Sequence, residues 1–190
     1  MNVIEIESEK NEAGNLQDFE LLYSKHYMRV LYFIKNSIGG SYEDAENIAQ
    51  EAFMIFFEKI NSASSGTLSF ENEKAALSYV FQIARNLVQN HNRKSSFRKM
   101  IDNVYLFFNN RSSAIEKYDE IELRADFDKA VEMLPETYRE VLVLKYVGEL
   151  GIEQISKILD INEGTVKSRF FNGSAKMAKL LREYSEKKVG

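Results

Sequence analysis

With 190 residues, 44% of them hydrophobic and 12% aromatic, the chain has apolar material for one sizeable core or two small ones and too much of it to be disordered. A single Pro and nine Gly leave little to interrupt helices, and the absence of Cys excludes disulfides, thiolate metal sites and cysteine nucleophiles and suits a reducing compartment such as the cytoplasm. A net charge of −4 argues, taken alone, against a nucleic-acid partner, because phosphate contacts need local cations.

Residues 1–17 read as an acidic N-terminal tail, without the basic start and apolar core of a secretion signal, and no apolar run is long enough to span a bilayer. From Phe19 to Ile38 apolar residues recur at helical spacing and stop at Gly39-Gly40. Ser41 is placed to cap a second helix that runs to about Ile60, and the polar stretch Asn61 to Thr67 reads as a loop. A third helix is expected from Glu73 to Asn92, with Ala76, Tyr79, Val80, Ile83, Ala84 and Leu87 at core spacing. Residues 18–94 thus form one helical domain, and residues 95–120, with no sustained period, read as a flexible linker.

Residues 121–190 form a second helical domain. A helix from about Ile121 ends before Leu134-Pro135, and Pro135 suits the first turn of the next, which runs to Val147. After a turn bracketed by Gly148 and Gly151 come a short helix, Ile152 to Leu159, a tight turn at Asp160-Ile161-Asn162, and a long final helix to about Tyr184 capped by Asn162. The expected fold class is all-α: two small helical domains joined by a linker.

The mean charge hides separate surfaces. Arg85 to Lys99 holds five basic residues and no acid, and Glu163 to Gly190 holds seven basic against three acidic residues. Acids gather in residues 1–20, in Glu43 to Glu58 and between Glu116 and Asp128.

Gly151 to Asn172 has the pattern of a helix-turn-helix, in which Ile155, Ile158, Leu159 and Ile161 pack against Val166 and Phe170 and hold the second helix across the first. On a helical wheel Val166, Phe170, Gly173 and Met177 share the inward face. Ser168, Phe171 and Asn172 point outward, flanked by Lys167 and Arg169. Such a set suits a major groove: the cations reach phosphates or guanine edges, Ser168 hydrogen-bonds, and Phe171 can touch a thymine methyl. Met133 to Leu181 resembles the C-terminal promoter-binding domain of sigma-70 family factors, in which Leu-Pro precedes a helix and Thr-Val-Lys-Ser-Arg, here Thr165 to Arg169, opens the helix that reads the −35 element. The resemblance implies Thr165, Lys167, Ser168, Arg169, Phe171 and Asn172 as −35-binding residues. The chain departs from the family pattern at Asn172-Gly173-Ser174-Ala175, where further basic residues are usual, and Gly within a helix costs about 1 kcal/mol relative to Ala. Asn172 is suited to read adenine bidentately, so the departure puts the affinity or the sequence of the −35 element in question.

The segment from Tyr42 to Asn61 divides on the wheel into an apolar side (Ala45, Ile48, Ala49, Ala52, Phe53, Phe56) and an acidic, amide-bearing stripe. Asp44-Ala45-Glu46 followed by Gln50-Glu51-Ala52-Phe53 resembles the sigma-factor helix that docks on the largest subunit of RNA polymerase, which implies Asp44, Asn47, Gln50 and Glu51 as polymerase-binding residues. Tyr79 to Val88, containing Ile83-Ala84-Arg85-Asn86, is similar to the helix that ends the −10-reading domain, with Tyr79 where Trp is usual. By that likeness Arg85, Asn86, Asn90, Arg93 and Lys94 form a −10-binding edge, and Phe70, beside the loop that would capture a flipped base, is a stacking candidate.

His26 and His91 have no second ligand at metal spacing, and no phosphate loop or nucleophile-base grouping can be assembled. No cofactor, metal or enzymatic activity is expected. The double resemblance implies an extracytoplasmic-function (ECF) sigma factor that binds core RNA polymerase and promoter DNA, with an anti-sigma factor as a further partner. Read without it, the residues leave open a stand-alone helix-turn-helix transcriptional regulator and a helical protein-binding adaptor.

Overall fold

The computed structural model describes the backbone of residues 3–38, 41–61, 70, 72–105 and 122–189, and side chains over 18–38, 41–61, 70, 72–93 and 127–183. The described residues form helices α1 (Val3–Ser37), α2 (Tyr42–Asn61), α3 (Glu73–Tyr105), α4 (Glu122–Glu132), α5 (Glu136–Tyr146), α6 (Ile152–Leu159) and α7 (Glu163–Val189), and no strand occurs among them. The all-α expectation holds.

Helices α1, α2 and α3 pack on one another around Val30, Phe33 and Ile34, Ala45, Ala49, Ala52 and Phe53, and Val80, Phe81 and Ala84. Small residues along α2 let it lie close to its neighbours while Phe33 and Phe81 fill the centre edge to face, with centroids 5.5 Å apart. The cap expected at Ser41 is reciprocal: Asp44 N–H donates to Ser41 Oγ at 3.1 Å, and Ser41 N–H donates to Asp44 Oδ2 at 3.1 Å.

In the second domain α5 lies against α7 and α6 against both, around Val131, Leu134, Val141, Leu144, Leu150, Ile155 and Val166. Asp160 ends α6 in the left-handed conformation (φ 51°), tolerated because its short polar side chain costs little there, and Asn162 Oδ1 accepts from Thr165 N–H at 2.7 Å to cap α7. Gly173 is buried at the α5–α7 crossing: a Cβ there would lie 3.1 Å from Tyr138 Cβ and 3.3 Å from Leu142 Cδ1. The glycine that looked like a weakness in the helix is what allows the two axes to approach.

Several expected boundaries move. The third helix was expected to end at Asn92 and the linker to begin at 95, but α3 continues to Tyr105, since neither Gly nor Pro interrupts residues 93–105. The tail at 1–17 is likewise helical from Val3 and continuous with α1. Pro135 is the N-cap of α5 (φ −52°, ψ 139°), one position before the first turn, and its carbonyl accepts from Tyr138 and Arg139 N–H. The loop read at Asn61 to Thr67 lies outside the described residues after Asn61.

The two domains also touch, α3 against α6 and α1 against α5. Among the described residues polar contacts cross that boundary: Tyr32 Oη donates to Asp128 Oδ1 (2.6 Å), Arg139 Nη1 to Asn36 O (3.0 Å), Arg29 Nη2 to Glu149 Oε1 (2.9 Å) and Gln154 Nε2 to Lys74 O (3.4 Å).

Replacing Phe81, wholly enclosed, by Ala is expected to cost about 3–5 kcal/mol, whereas Met54→Ala at an exposed site should stay within about 0.5 kcal/mol. Urea denaturation followed by circular dichroism measures both, and equal effects would contradict the packing.

Candidate nucleic-acid and protein-docking surfaces

The start of α7 projects a chemically mixed face. Val166, Gly173 and Met177 are buried, and Lys167, Ser168, Phe171 and Asn172 are exposed, the division expected from the helical wheel. Phe170 is half-buried, its ring tilted over Tyr146 at 5.7 Å. Phe171 is 74% exposed, so its ring is open to contact from outside the domain. Thr165 serves the cap, its hydroxyl 3.0 Å from Asn162 Oδ1, and Ser168 Oγ donates to Thr165 O at 3.0 Å. Lys167 lies 3.5 Å from Glu163 on the same helix, an exposed pair that a phosphate would displace at little cost.

Arg169 is half-buried near a residue that sequence reasoning missed. Glu140 of α5 sits among Arg85 of α3, Arg169 of α7 and its neighbour Arg139; burial nevertheless outweighs the cations and pushes its carboxyl above the ordinary range. Nothing in the spacing of α5 marks Glu140, because its surroundings come from three helices distant in sequence.

On α2 Asn47, Gln50 and Glu51 are exposed together, with Met54 (62% exposed) and Glu58 continuing the stripe. Asp44 is half-buried and engaged in the Ser41 cap, so it contributes less open surface than its three neighbours.

On α3 Asn86, Asn90 and Arg93 are exposed along one edge, with Arg93 Nη2 donating to Asn90 Oδ1 at 3.1 Å. Arg85 is half-buried. Its guanidinium lies 2.8 and 3.2 Å from the Gln89 amide when the amide oxygen is turned toward it, and it lines a cleft between the domains with Gln82, Asn86, Lys157 and Asp160. The side chain of Lys94 lies outside the described residues. Phe70 is half-buried between Phe56 and Tyr79, 5.6 Å from each, so its ring already has aromatic neighbours. Asn92 was also missed: its amide donates to Ser37 O at 3.0 Å and ties α3 to the end of α1.

Among the described residues no group of three or more His, Asp or Glu is arranged to hold a metal ion, and no helix is long and apolar enough to cross a membrane.

Comparison with protein families matches two models in the same order as the two domains: Sigma-70 region 2 over residues 22–98, and Sigma-70, region 4 over residues 124–177. This chain belongs to the sigma-70 family. Within that family several of its relatives carry ECF names. ECF RNA polymerase sigma factor SigW of Bacillus subtilis is 29% identical over 83% of this chain and 86% of its own length. RNA polymerase sigma-H factor of Pseudomonas aeruginosa is 26% identical over 91% of each. Among solved structures, the sigma factor RpoE of Bartonella quintana, crystallised with the anti-sigma factor NepR, shares the fold at a TM-score of 0.64 and 23% identity, covering 87% of this chain and 98% of that one.

Glu140 gives a signed pH dependence. A carboxyl whose folded-state pKa lies above its unfolded value favours folding when protonated, so its contribution is lost as pH rises through the raised value. Glu140→Gln should therefore raise Tm at neutral pH, with the gain shrinking on acidification toward the ordinary carboxylate range. Differential scanning calorimetry across that range checks it, and a gain that grows on acidification would contradict the sign.

Proposed function

We propose that this sigma-70 family protein binds core RNA polymerase through α2 and directs it to promoters read at two elements. The observation that supports this most directly is that one chain carries both an outward polar stripe on α2 (Asn47, Gln50, Glu51) and an exposed recognition face at the start of α7 (Lys167, Ser168, Phe171, Asn172). A stand-alone regulator needs only the second face and an adaptor only the first.

In this reading the region-2-like domain, assigned to residues 18–94, docks on polymerase with Glu51 and Gln50 at the centre of the contact and Asp44 at its margin. Asn86, Asn90 and Arg93, with Arg85 and Lys94, line the single strand at the −10 element. Phe70 supports the base-capturing loop from its aromatic stack and is a weaker candidate for direct stacking, since Phe56 and Tyr79 already flank it. Residues 95–120 connect to the region-4-like domain at 121–190, where Lys167 and Arg169 hold phosphates, Ser168, Phe171 and Asn172 meet base edges, and Thr165 sets the helix start. The protein works in the cytoplasm as a non-catalytic subunit, without a cofactor, and an anti-sigma factor is a partner of the kind named for the RpoE structure.

Gel filtration with bacterial core polymerase, followed by permanganate probing of promoter DNA, tests the assignment: a stable complex that opens DNA is expected. Glu51→Lys should weaken core binding by about tenfold or more, equivalent to ~1.4 kcal/mol, with an unchanged circular dichroism spectrum. Full affinity in that variant would remove α2 from the docking surface.

The two DNA faces should also separate by kind of effect. Asn172→Ala is expected to cost about 1–3 kcal/mol on the preferred −35 duplex and much less on mismatched ones. Lys167→Ala should weaken all duplexes alike and lower the salt slope by about one unit. Fluorescence anisotropy of the holoenzyme at several salt concentrations reads both, and neutrality of both changes on every duplex would overturn the groove-facing assignment.

A further inference from the structure

The proposed reading face occupies about the first three turns of α7 and uses two of the seven basic residues between Glu163 and Gly190, Lys167 and Arg169. Between Arg169 and Lys176 the helix carries no charge, since residues 170–175 are all neutral. Past that gap Lys176, Lys179 and Arg182 are exposed. Ser168, Asn172, Lys176 and Lys179 follow one another at spacings of three or four residues, which sets them in one stripe along the helix. That stripe has two zones, a neutral one suited to base edges and a cationic one further along.

The cationic zone is held in place by packing. On the inner side of the same turns Met177 is buried, Leu180 and Leu181 are half-buried against the apolar cluster, and α7 lies on α4 and α5. The lysines therefore stand on a helix whose direction is fixed. Lys179 lies 3.9 Å from Glu183, an exposed pair that a phosphate displaces at little cost.

A helix-turn-helix puts the N-terminal residues of its second helix against base edges in the major groove, which is about 12 Å wide. At a rise of ~1.5 Å per residue, Lys176 lies about 12 Å beyond Ser168 along the axis and Arg182 about 21 Å. A side chain one groove-width further on has left the bases and stands over the strand that walls the groove. What a lysine meets there is phosphate.

We propose that Lys176 and Lys179 form a second DNA contact, to backbone phosphates flanking the −35 element on one side, and supply sequence-independent affinity that the neutral zone lacks. This inference rests on the promoter-reading function above and adds a grip outside the element that is read. Phosphate contacts position a protein and base contacts specify its sequence; here the two tasks are separated along one helix. Continuity of the stripe with the reading face favours DNA over an acidic protein surface, which would need no such alignment.

Lys176→Gln with Lys179→Gln removes both charges at exposed sites while keeping good helix formers, and Lys176→Arg with Lys179→Arg retains them. Fluorescence anisotropy of the full-length chain on a mixed-sequence duplex at several salt concentrations should show the glutamine pair lowering the salt slope by about two units and the arginine pair leaving it within about half a unit. An unchanged slope in the glutamine pair overturns the contact, and unchanged DNA binding together with weaker binding of core polymerase assigns the lysines to a protein partner and overturns it as well. Ethylation of single phosphates, in a promoter that the holoenzyme enriches from a random library, should interfere with binding on one flank of the −35 element. That interference should vanish in the glutamine pair; interference confined to the element, or persisting on the flank in the glutamine pair, overturns the placement. Failure of the unmodified holoenzyme to enrich a promoter would instead overturn the promoter-reading function, and the salt slope is measured without polymerase, so the two failures are distinct.

Discussion

Helix ends leave carbonyl groups without partners, and in this chain two such ends, those of α1 and α4, converge on the single guanidinium of Arg139. The buried residues of both domains belong to one apolar cluster, and the directional bonds between the domains decide how they sit. Hydrophobic contact alone tolerates sliding, because it depends on area more than on orientation. A fork of donors aimed at three carbonyls does not slide. The position of Arg85 against α6 and the surroundings of Glu140 depend on that registration.

What could be read from the sequence was whatever depended on near neighbours. Helix existence, the Ser41 and Asn162 caps and the inward set Val166, Gly173 and Met177 follow from spacings of two to four residues, which the chain itself displays. The ends of α1 and α3 were misplaced because charge and composition were taken as signs of irregular chain where no residue actually breaks a helix. Arg139, Glu140, Tyr32 and Asp128 could not have been found: their partners lie on other helices, and in α5 Arg139 and Glu140 look like any polar residues on a solvated turn. Phe70 was ambiguous for the opposite reason, since an aromatic ring beside a loop has the same one-dimensional appearance whether it awaits a base or stacks on Phe56 and Tyr79.

The net negative charge reconciles with DNA binding once the charges are placed. Acidic residues occupy α2, where the exposed stripe carries Glu51 and Glu58, and cations collect on α3 and α7. Fields of opposite sign on separate helices steer different partners, and screening over about 8–10 Å at physiological salt keeps them from cancelling one another across the molecule. Glu140 is the exception, an acid placed within the cationic region, and its raised pKa reflects the cost of burying it there.

The close crossing at Gly173 separates two kinds of change that evolution can make in α7. Residues 168, 171 and 172 are exposed, so they are free to vary one at a time, and on the proposed assignment each variation alters what is recognised without repacking the domain. Position 173 has less freedom, because a side chain there makes Tyr138 and Leu142 give way by a few tenths of an ångström. Drift in target preference can therefore proceed by small steps along the outer face. A larger residue at 173 would have to arrive together with compensation on α5, a coupled move that single substitutions seldom make.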